Sequence, residues 1–462
     1  VASPPPEVLA GLWQLAGLPQ EALPFAQLTG ADPVLPSSFA VGCAAQATIA
    51  AAALAACELG HLRGTPRQAV NVDMLHAALE CTGWFSIDGR VPDIWDPFSG
   101  LYPCADGWVR IHANFAHHRD GALRVLGLEP GRAKREDAEQ ALLSWRALDF
   151  EAAAANAGVV VTALRSFDEW DATPQGQAIA AQPLMTIERI GDAPPLQLPK
   201  LNQEQRPLHG IKVLDLTRIL AGPVGGKALA AYGADVMLVN SPHLPNIEAI
   251  VDTSRGKRSV HLDLRERSGR ESMHALLDDA HVFIQGYRPG ALQSLGFGPG
   301  DIASRRPGAV YVSLSAYGTQ GAWAQRRGFD SLVQTAMGFN QAEAQAFGDA
   351  RPRPMPMQIL DEASGYLIAM GAAAALHRQQ REGGSWHVQV SLAQTGHWLR
   401  GLGRVEGGAL VAKPPLEPFL ETSTSGFGEL RALRHSAQLD RNPACWERPS
   451  MPPGSHPPVW QE

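Results

Sequence analysis

The sequence predicts an α/β protein: a Rossmann-like parallel sheet with helices on both faces, plus a smaller α+β domain. Three observations lead there. From Leu208 onward, short β-branched runs at 211–217, 235–240, 281–287 and 309–314 alternate with helix-length segments, the pattern of βα units in a parallel sheet. A Pro/Gln-rich stretch of low periodicity, 193–207, separates two halves of different composition, as a domain linker does. Ahead of it, Asp106-Gly107 is a hairpin signal followed by helical patterns that run to Ile190, which suits a small α+β unit.

Size and charge bound the rest. A chain of 462 residues calls for two or three folded units, and 45% hydrophobic with 18% charged residues is a globular balance. The formal charge of -7 exerts no overall pull toward nucleic acid or an anionic membrane, so an anionic ligand needs a local basic patch. Five cysteines, odd in number and without CxxC or Cys/His spacing, argue against a disulfide framework and against a metal site. Residues 1–23 carry prolines and acids but no basic-then-apolar leader, which predicts a cytoplasmic protein. The longest apolar run, 44–57, is broken by Gln46 and Thr48, is too short to span a bilayer and reads as a buried helix.

The strand at 211–217 runs into Leu220-Ala221-Gly222-Pro223 and an amphipathic stretch, 224–232. In a doubly wound sheet such a turn lies at the carboxyl edge, where ligands bind. No GxGxxG or GxxxxGK[ST] occurs there, which disfavours a dinucleotide site or a phosphate loop. The chain also repeats itself: 44–75 resembles 363–393 at an offset of 318. Each copy has an Ala-rich helix, 49–58 or 367–377, then Arg63-Gly64-Thr65 or Arg381-Glu382-Gly383, then Val70-Asn71-Val72 or Val388-Gln389-Val390. The same offset sets Cys43 opposite Asp361, so only the second copy carries a carboxylate just before its apolar helix, where backbone donors and the helix dipole favour a negative charge.

Several stretches together are similar to class III CoA-transferases, the formyl-CoA transferase and carnitine CoA-transferase family that also includes α-methylacyl-CoA racemases. Gly210-Ile211-Lys212-Val213-Leu214-Asp215-Leu216-Thr217-Arg218 with Leu220-Ala221-Gly222-Pro223 resembles the family's opening strand and turn, and Gly233-Ala234-Asp235-Val236 its second strand. Arg255-Gly256-Lys257-Arg258-Ser259-Val260 resembles its RGKRSV stretch, Tyr287-Arg288-Pro289-Gly290-Ala291-Leu292 its FRPGAL, and Leu360-Asp361 falls where it keeps a catalytic aspartate. Ser313–Gly318 and Arg327-Gly328-Phe329-Asp330 continue the same order.

The resemblance implies a CoA-transferase. Asp361 would be the nucleophile, forming an acyl anhydride and then an enzyme–CoA thioester. Arg218, Arg255, Lys257, Arg258 and Arg288 would supply the phosphate ligands, Ile219, Leu220 and Ala221 would bring backbone toward the adenine or pantetheine, and Tyr287, Phe329 and Asp330 complete the coenzyme site. Coenzyme A or acyl-CoA enters as substrate with no permanently bound cofactor. The partners are then an acyl-CoA and a carboxylic acid, without nucleic acid or membrane, in a homodimer or an internal pseudo-dimer. The implied division is a degenerate half-copy at 1–92, a small α+β domain at 93–195, a linker at 196–207, the CoA-binding domain at 208–405 and a wrapping tail at 406–462, an order rearranged relative to the family. Asn240-Ser241 and Ser294 depart from it, and its Gly-rich shielding loop has no clear counterpart. Two other readings stay open. One is an acyl-CoA racemase, although Phe329 and Val333 stand where the racemases have His and Tyr; the other is a non-catalytic CoA-binding protein.

Overall fold

The computed structural model describes residues 1–461. Its centre is a seven-stranded sheet: β1 (Met185–Gly191), β2 (Lys212–Leu216), β3 (Asp235–Asn240), β4 (Arg258–His261), β5 (Val282–Gln285), β6 (Val310–Ser315) and β7 (Ser385–Ser391). They lie in the order β4-β3-β2-β5-β6-β7-β1, all pairs parallel except β7 with β1. Successive side chains alternate between two cores. Val213, Val236, Ile284, Val310 and Val312 enter one, while Leu214, Leu216, Met237, Val239, Phe283 and Tyr311 enter the other. A sheet apolar on both faces needs a helical layer on each, which is why these strands read as near-continuous hydrophobic runs.

The larger core is built on helix α1 (Val41–Leu62), helix α3 (Ala221–Ala231) and helix α5 (Ile359–Glu382). The two long helices, α1 and α5, are apolar enough by length and composition to cross a membrane, and both are buried inside the protein; a helix hydrophobic all round belongs in an interior. They are the two repeat copies, and they pack against each other. Helices α3 and α5 also meet closely: a Cβ at Gly365 would lie 2.6 Å from the Ala221 carbonyl oxygen, and one at Gly225 would lie 2.9 Å from the Gly365 oxygen. No larger residue fits that crossing without moving backbone.

Between the first repeat copy and the linker lies a small unit. Its strands Gly100–Pro103 and Trp108–Ile111 form the hairpin that Asp106-Gly107 announces, and Val161–Ala163 completes the three-stranded sheet. Helix α2 (Ala116–Val125) packs beside it on the same core. The unit docks on helix α4 (Asp330–Met337): Thr162 donates to the Leu332 carbonyl at 3.1 Å, and the buried Arg110 reaches the Ser331 carbonyl and the Asn340 side chain at 3.4 Å each.

Three expectations change. Residues 185–191, counted with the small domain, form β1 and close the edge of the main sheet, because β7 offers an unpaired edge. Stretch 196–207 is strapped down: Arg63, at the end of α1, donates to the carbonyls of Pro199, Pro207 and His209. The tail holds three strands: Leu420–Ser425 pairs with Gly428–Leu433, which pairs in turn with Phe85–Ile87, and Ala437–Leu439 pairs with Val70–Asp73. In the first repeat copy, Val70–Asp73 thus finds its partners in Ala26–Thr29 and the tail rather than in a large sheet.

Candidate active site

Chain order reverses between β2 and β5: β3 and β4 lie to one side, β6 and β7 to the other. At such a switch point the loops leaving two neighbouring strands diverge and open a crevice at the carboxyl edge. A cleft of about 360 Å³ occupies that place. Its walls include Leu216 at the end of β2, Arg218 and Ile219 after it, Tyr287 and Arg288 after β5, and Ala316 after β6. Ile219 has φ +77°, a region that a β-branched residue enters only at a cost and that recurs at functional sites.

Phe329, expected at the coenzyme, lines the remaining wall from the loop before α4; the sequence reading missed its other residues, Arg326 and Arg327 from the same loop and Phe115, His117 and His118 from the small domain, at the start of α2. Three guanidinium groups gather here without an ion pair among the described residues. Arg218 donates only to the Pro245 carbonyl at 2.9 Å, Arg327 meets only His118 Nε2 at 3.4 Å, and Arg288 is exposed in the cleft. Their mutual repulsion is felt at Arg327, whose pKa burial, Arg288 and Arg218 lower. Unpaired cations facing one cavity form an anion site in a protein of net negative charge. Arg326 is already engaged with Glu151 at 3.5 Å.

Asp361 lies in the first turn of α5 rather than before it. Its neighbour in space is Asp330, whose carboxylate accepts the Asp361 amide at 2.8 Å and the Gln334 side-chain amide. Asp330 therefore caps α5, satisfying helix donors that would otherwise be unpaired. No hydrogen bond holds the Asp361 carboxyl among the described residues, and 8% of the residue is exposed. Burial, with the charge of Asp330 second, pushes that carboxyl well above the usual carboxylate range; burial raises Asp330 as well, against the pull of its donors and Arg110. Asp361 does not line the cleft. The connection runs through Phe329, which does, and the adjacent Asp330.

The first repeat copy preserves the cap and not the carboxylate. Asp32 accepts the amides of Gly42 at 3.2 Å and Cys43 at 2.8 Å, at the start of α1. Cys43 is buried, and burial followed by Asp32 pushes its thiol up to about 12, so it is a neutral packing residue near pH 7.

Several residues expected at the coenzyme are placed elsewhere. Lys257 is fully buried, donating to Asp215 at 2.9 Å and to the Pro223 carbonyl at 2.8 Å. Arg255 is buried on Asp252, Glu421 and the Leu433 carbonyl, with its guanidinium 4.0 Å from the Trp446 ring centre. Arg258 binds Asp235 at 3.0 Å, and both sit toward the amino ends of β4 and β3, away from the carboxyl edge. Each of these three cations is taken by a carboxylate of the fold, Lys257 by Asp215, Arg255 by Asp252 and Arg258 by Asp235, rather than left free for a ligand. Leu220 and Ala221 face the core, where Ala221 meets α5. Asp330 is fully buried as a helix cap and offers nothing to a ligand in the cleft.

Comparison with known proteins agrees in one respect throughout. The family model described as CoA-transferase family III matches residues 13–205 and again 208–402. An acyl-CoA transferase of Gibberella moniliformis is 29% identical over 377 residues, 72% of this chain and 66% of that protein. The "Probable fatty acyl-CoA transferase Rv3272" of Mycobacterium tuberculosis is 34% identical over 201 residues, 40% of this chain and 50% of that one. A crystal structure of the latter protein aligns with 33% identity over 43% of this chain and 58% of that chain, with a TM-score of 0.40. The chain thus spans about two thirds or less of the length of these relatives.

Proposed function

The chain belongs to CoA-transferase family III, and from that premise we propose that it moves CoA from an acyl-CoA donor to a carboxylic acid acceptor, with Asp361 as nucleophile. The observation that carries the reading is an unpaired carboxyl at the start of a buried helix, connected through Asp330 and Phe329 to a cleft whose three free guanidinium groups face the sheet's switch point. The relatives named as acyl-CoA transferases support it.

In this mechanism the Asp361 carboxylate attacks the acyl thioester carbonyl and expels CoA as thiolate, leaving an aspartyl–acyl anhydride. The thiolate then attacks the aspartyl carbonyl, the donor acid leaves as carboxylate, and Asp361 holds CoA as a thioester. The acceptor carboxylate attacks that thioester, and the released thiolate attacks the acceptor's acyl carbon, which yields the new acyl-CoA and restores Asp361. Burial raises the Asp361 pKa, and once ionised a poorly solvated carboxylate is the stronger nucleophile toward a thioester carbonyl. CoA phosphates bind Arg218, Arg288 and Arg327. Tyr287, Ile219 and Phe329 line the same cleft with apolar surface. The first half-copy and the small domain cover the coenzyme half within one chain, an internal pseudo-dimer.

Borohydride or hydroxylamine trapping after exposure to an acyl-CoA, followed by peptide mass spectrometry, tests the reading. Modification at Asp361 is expected; a protein that binds CoA and never labels there refutes the transferase and leaves a CoA-binding protein.

A further inference from the structure

The small domain presents to the cleft a feature that the phosphate-binding arginines do not require. Helix α2 begins at Ala116, and no side chain caps its N-terminus. Its first turn carries Phe115, His117 and His118 into the cleft wall. The two imidazoles are 4.0 Å apart, centre to centre. His117 is exposed, whereas His118 is 3% exposed with its Nδ1 buried and unpartnered, and its Nε2 lies 3.4 Å from Arg327. A buried ring nitrogen without a partner is costly, and an uncapped helix start of ten residues exposes amides that favour negative charge. The free arginines, both imidazoles and Phe115, the N-cap residue of α2, all line one cavity.

Resting on the transferase reading, we infer that His117 and His118 are ligands of the coenzyme's phosphate groups alongside Arg218, Arg288 and Arg327, and that CoA binding draws protons onto this histidine pair. Their surroundings disfavour protonation of both rings. Burial first, then His117, Arg327 and Arg218, bring His118 down to about 4, and burial with Arg327 and Arg218 lowers His117. Among the described residues, the nearby carboxylates are already paired. On α2, Asp120 is held by Arg119 at 3.0 Å, which also takes Asp96 at 3.3 Å; Glu151 is held by Arg165 and Arg326; and His112, behind Phe329, is itself lowered to about 3. A phosphate reverses the local field, cancelling the guanidinium repulsion and accepting a hydrogen bond from each imidazolium. The histidines then rise toward or past their ordinary value of roughly 6.5, and protons enter between the two values.

Isothermal titration of the whole chain with CoA and with dephospho-CoA, in buffers of different ionisation enthalpy at pH 5.5 to 7.5, counts the protons. Uptake of roughly half to one proton per CoA near pH 6 is expected, with affinity tightening by up to about tenfold per pH unit per histidine. The sign identifies the source: arginines gripping a phosphomonoester with a second pKa of about 6 make it release protons, so net uptake belongs to the imidazoles. Uptake kept with dephospho-CoA assigns the pair to the diphosphate, and uptake lost assigns it to the 3′-phosphate; both support the inference. His117→Asn and His118→Asn should each reduce the count while CoA still binds, and the count on the unmodified chain decides the matter should His118→Asn not fold. Binding without proton uptake overturns the inference and leaves the transferase reading intact. Failure of the unmodified chain to bind CoA overturns both.

Discussion

Replacing Asp361 by Asn should stabilise the protein at neutral and alkaline pH while abolishing covalent capture of an acyl group. The Asp361 carboxyl has no hydrogen-bond donor, 8% exposure and an acidic neighbour in Asp330. Like unit charges in close proximity at a protein surface repel by on the order of a few kcal/mol at an effective dielectric of about 20, which sets the scale for this pair. A shared proton and residual hydration reduce this, so the amide should gain about 1–3 kcal/mol near pH 8. The unfolded carboxyl titrates near 3.9 and the folded one higher, so the native state binds the extra proton. The stability that Asp361 confers is therefore complete below about pH 4 and lost as pH rises through the folded pKa. The advantage of Asn should vanish at low pH and grow steadily toward pH 8, amounting to roughly 2–6 °C in melting temperature. Scanning fluorimetry of both proteins across this range measures it without any substrate. An Asn variant less stable than the parent at pH 8, or a gain that does not change with pH, would falsify this account of the carboxyl's surroundings.

Other perturbations separate binding from folding. Lys257→Met leaves Asp215 as an uncompensated charge at zero exposure; a loss of about 3–5 kcal/mol is expected in denaturant melts, with the folded fraction binding CoA within about twofold of the parent. Arg288→Ala and Arg327→Ala should each weaken CoA binding by about 10-fold or more and leave the melting temperature nearly unchanged, since neither guanidinium is ion-paired; equal losses from Arg258→Ala would put the phosphates at the wrong sheet edge. Gly365→Ala drives a methyl to 2.6 Å from the Ala221 oxygen and 2.7 Å from Val224, for an expected cost of about 1–3 kcal/mol. Because Ala221 ends the turn that carries Ile219, CoA affinity should fall with it.

Much of the coenzyme half was legible from local pattern. The strand at 235–240, the strand expected at 309–314 and found at 310–315, and the hairpin at Asp106-Gly107 follow from periodicity and turn chemistry, properties of neighbouring residues. Arg218, Ile219, Tyr287 and Arg288 came to the cleft because the residues after a parallel strand must reach the carboxyl edge. Arg255, Lys257 and Arg258 did not, and composition could not have shown it: whether a lysine meets a ligand or a buried aspartate depends on which side of the sheet its partner occupies. His117 and His118 carried a faint signal, adjacent histidines after a hairpin, with nothing nearby in the chain to relate them to Arg327.

The order of residues alone determined what is local: strands, helices, the turn after β2, an acid at the start of one repeat helix and a cysteine at the start of the other. Tertiary structure decided which charges remain free. Asp215, Asp235 and Asp252 neutralise the buried cations, Asp330 spends its carboxylate on a helix cap, and Arg218, Arg288 and Arg327 are left without an ion pair at the switch-point cleft. The reason is that an ion's availability depends on its nearest opposite charge and on its distance from water, and both are set by contacts between residues far apart in the chain.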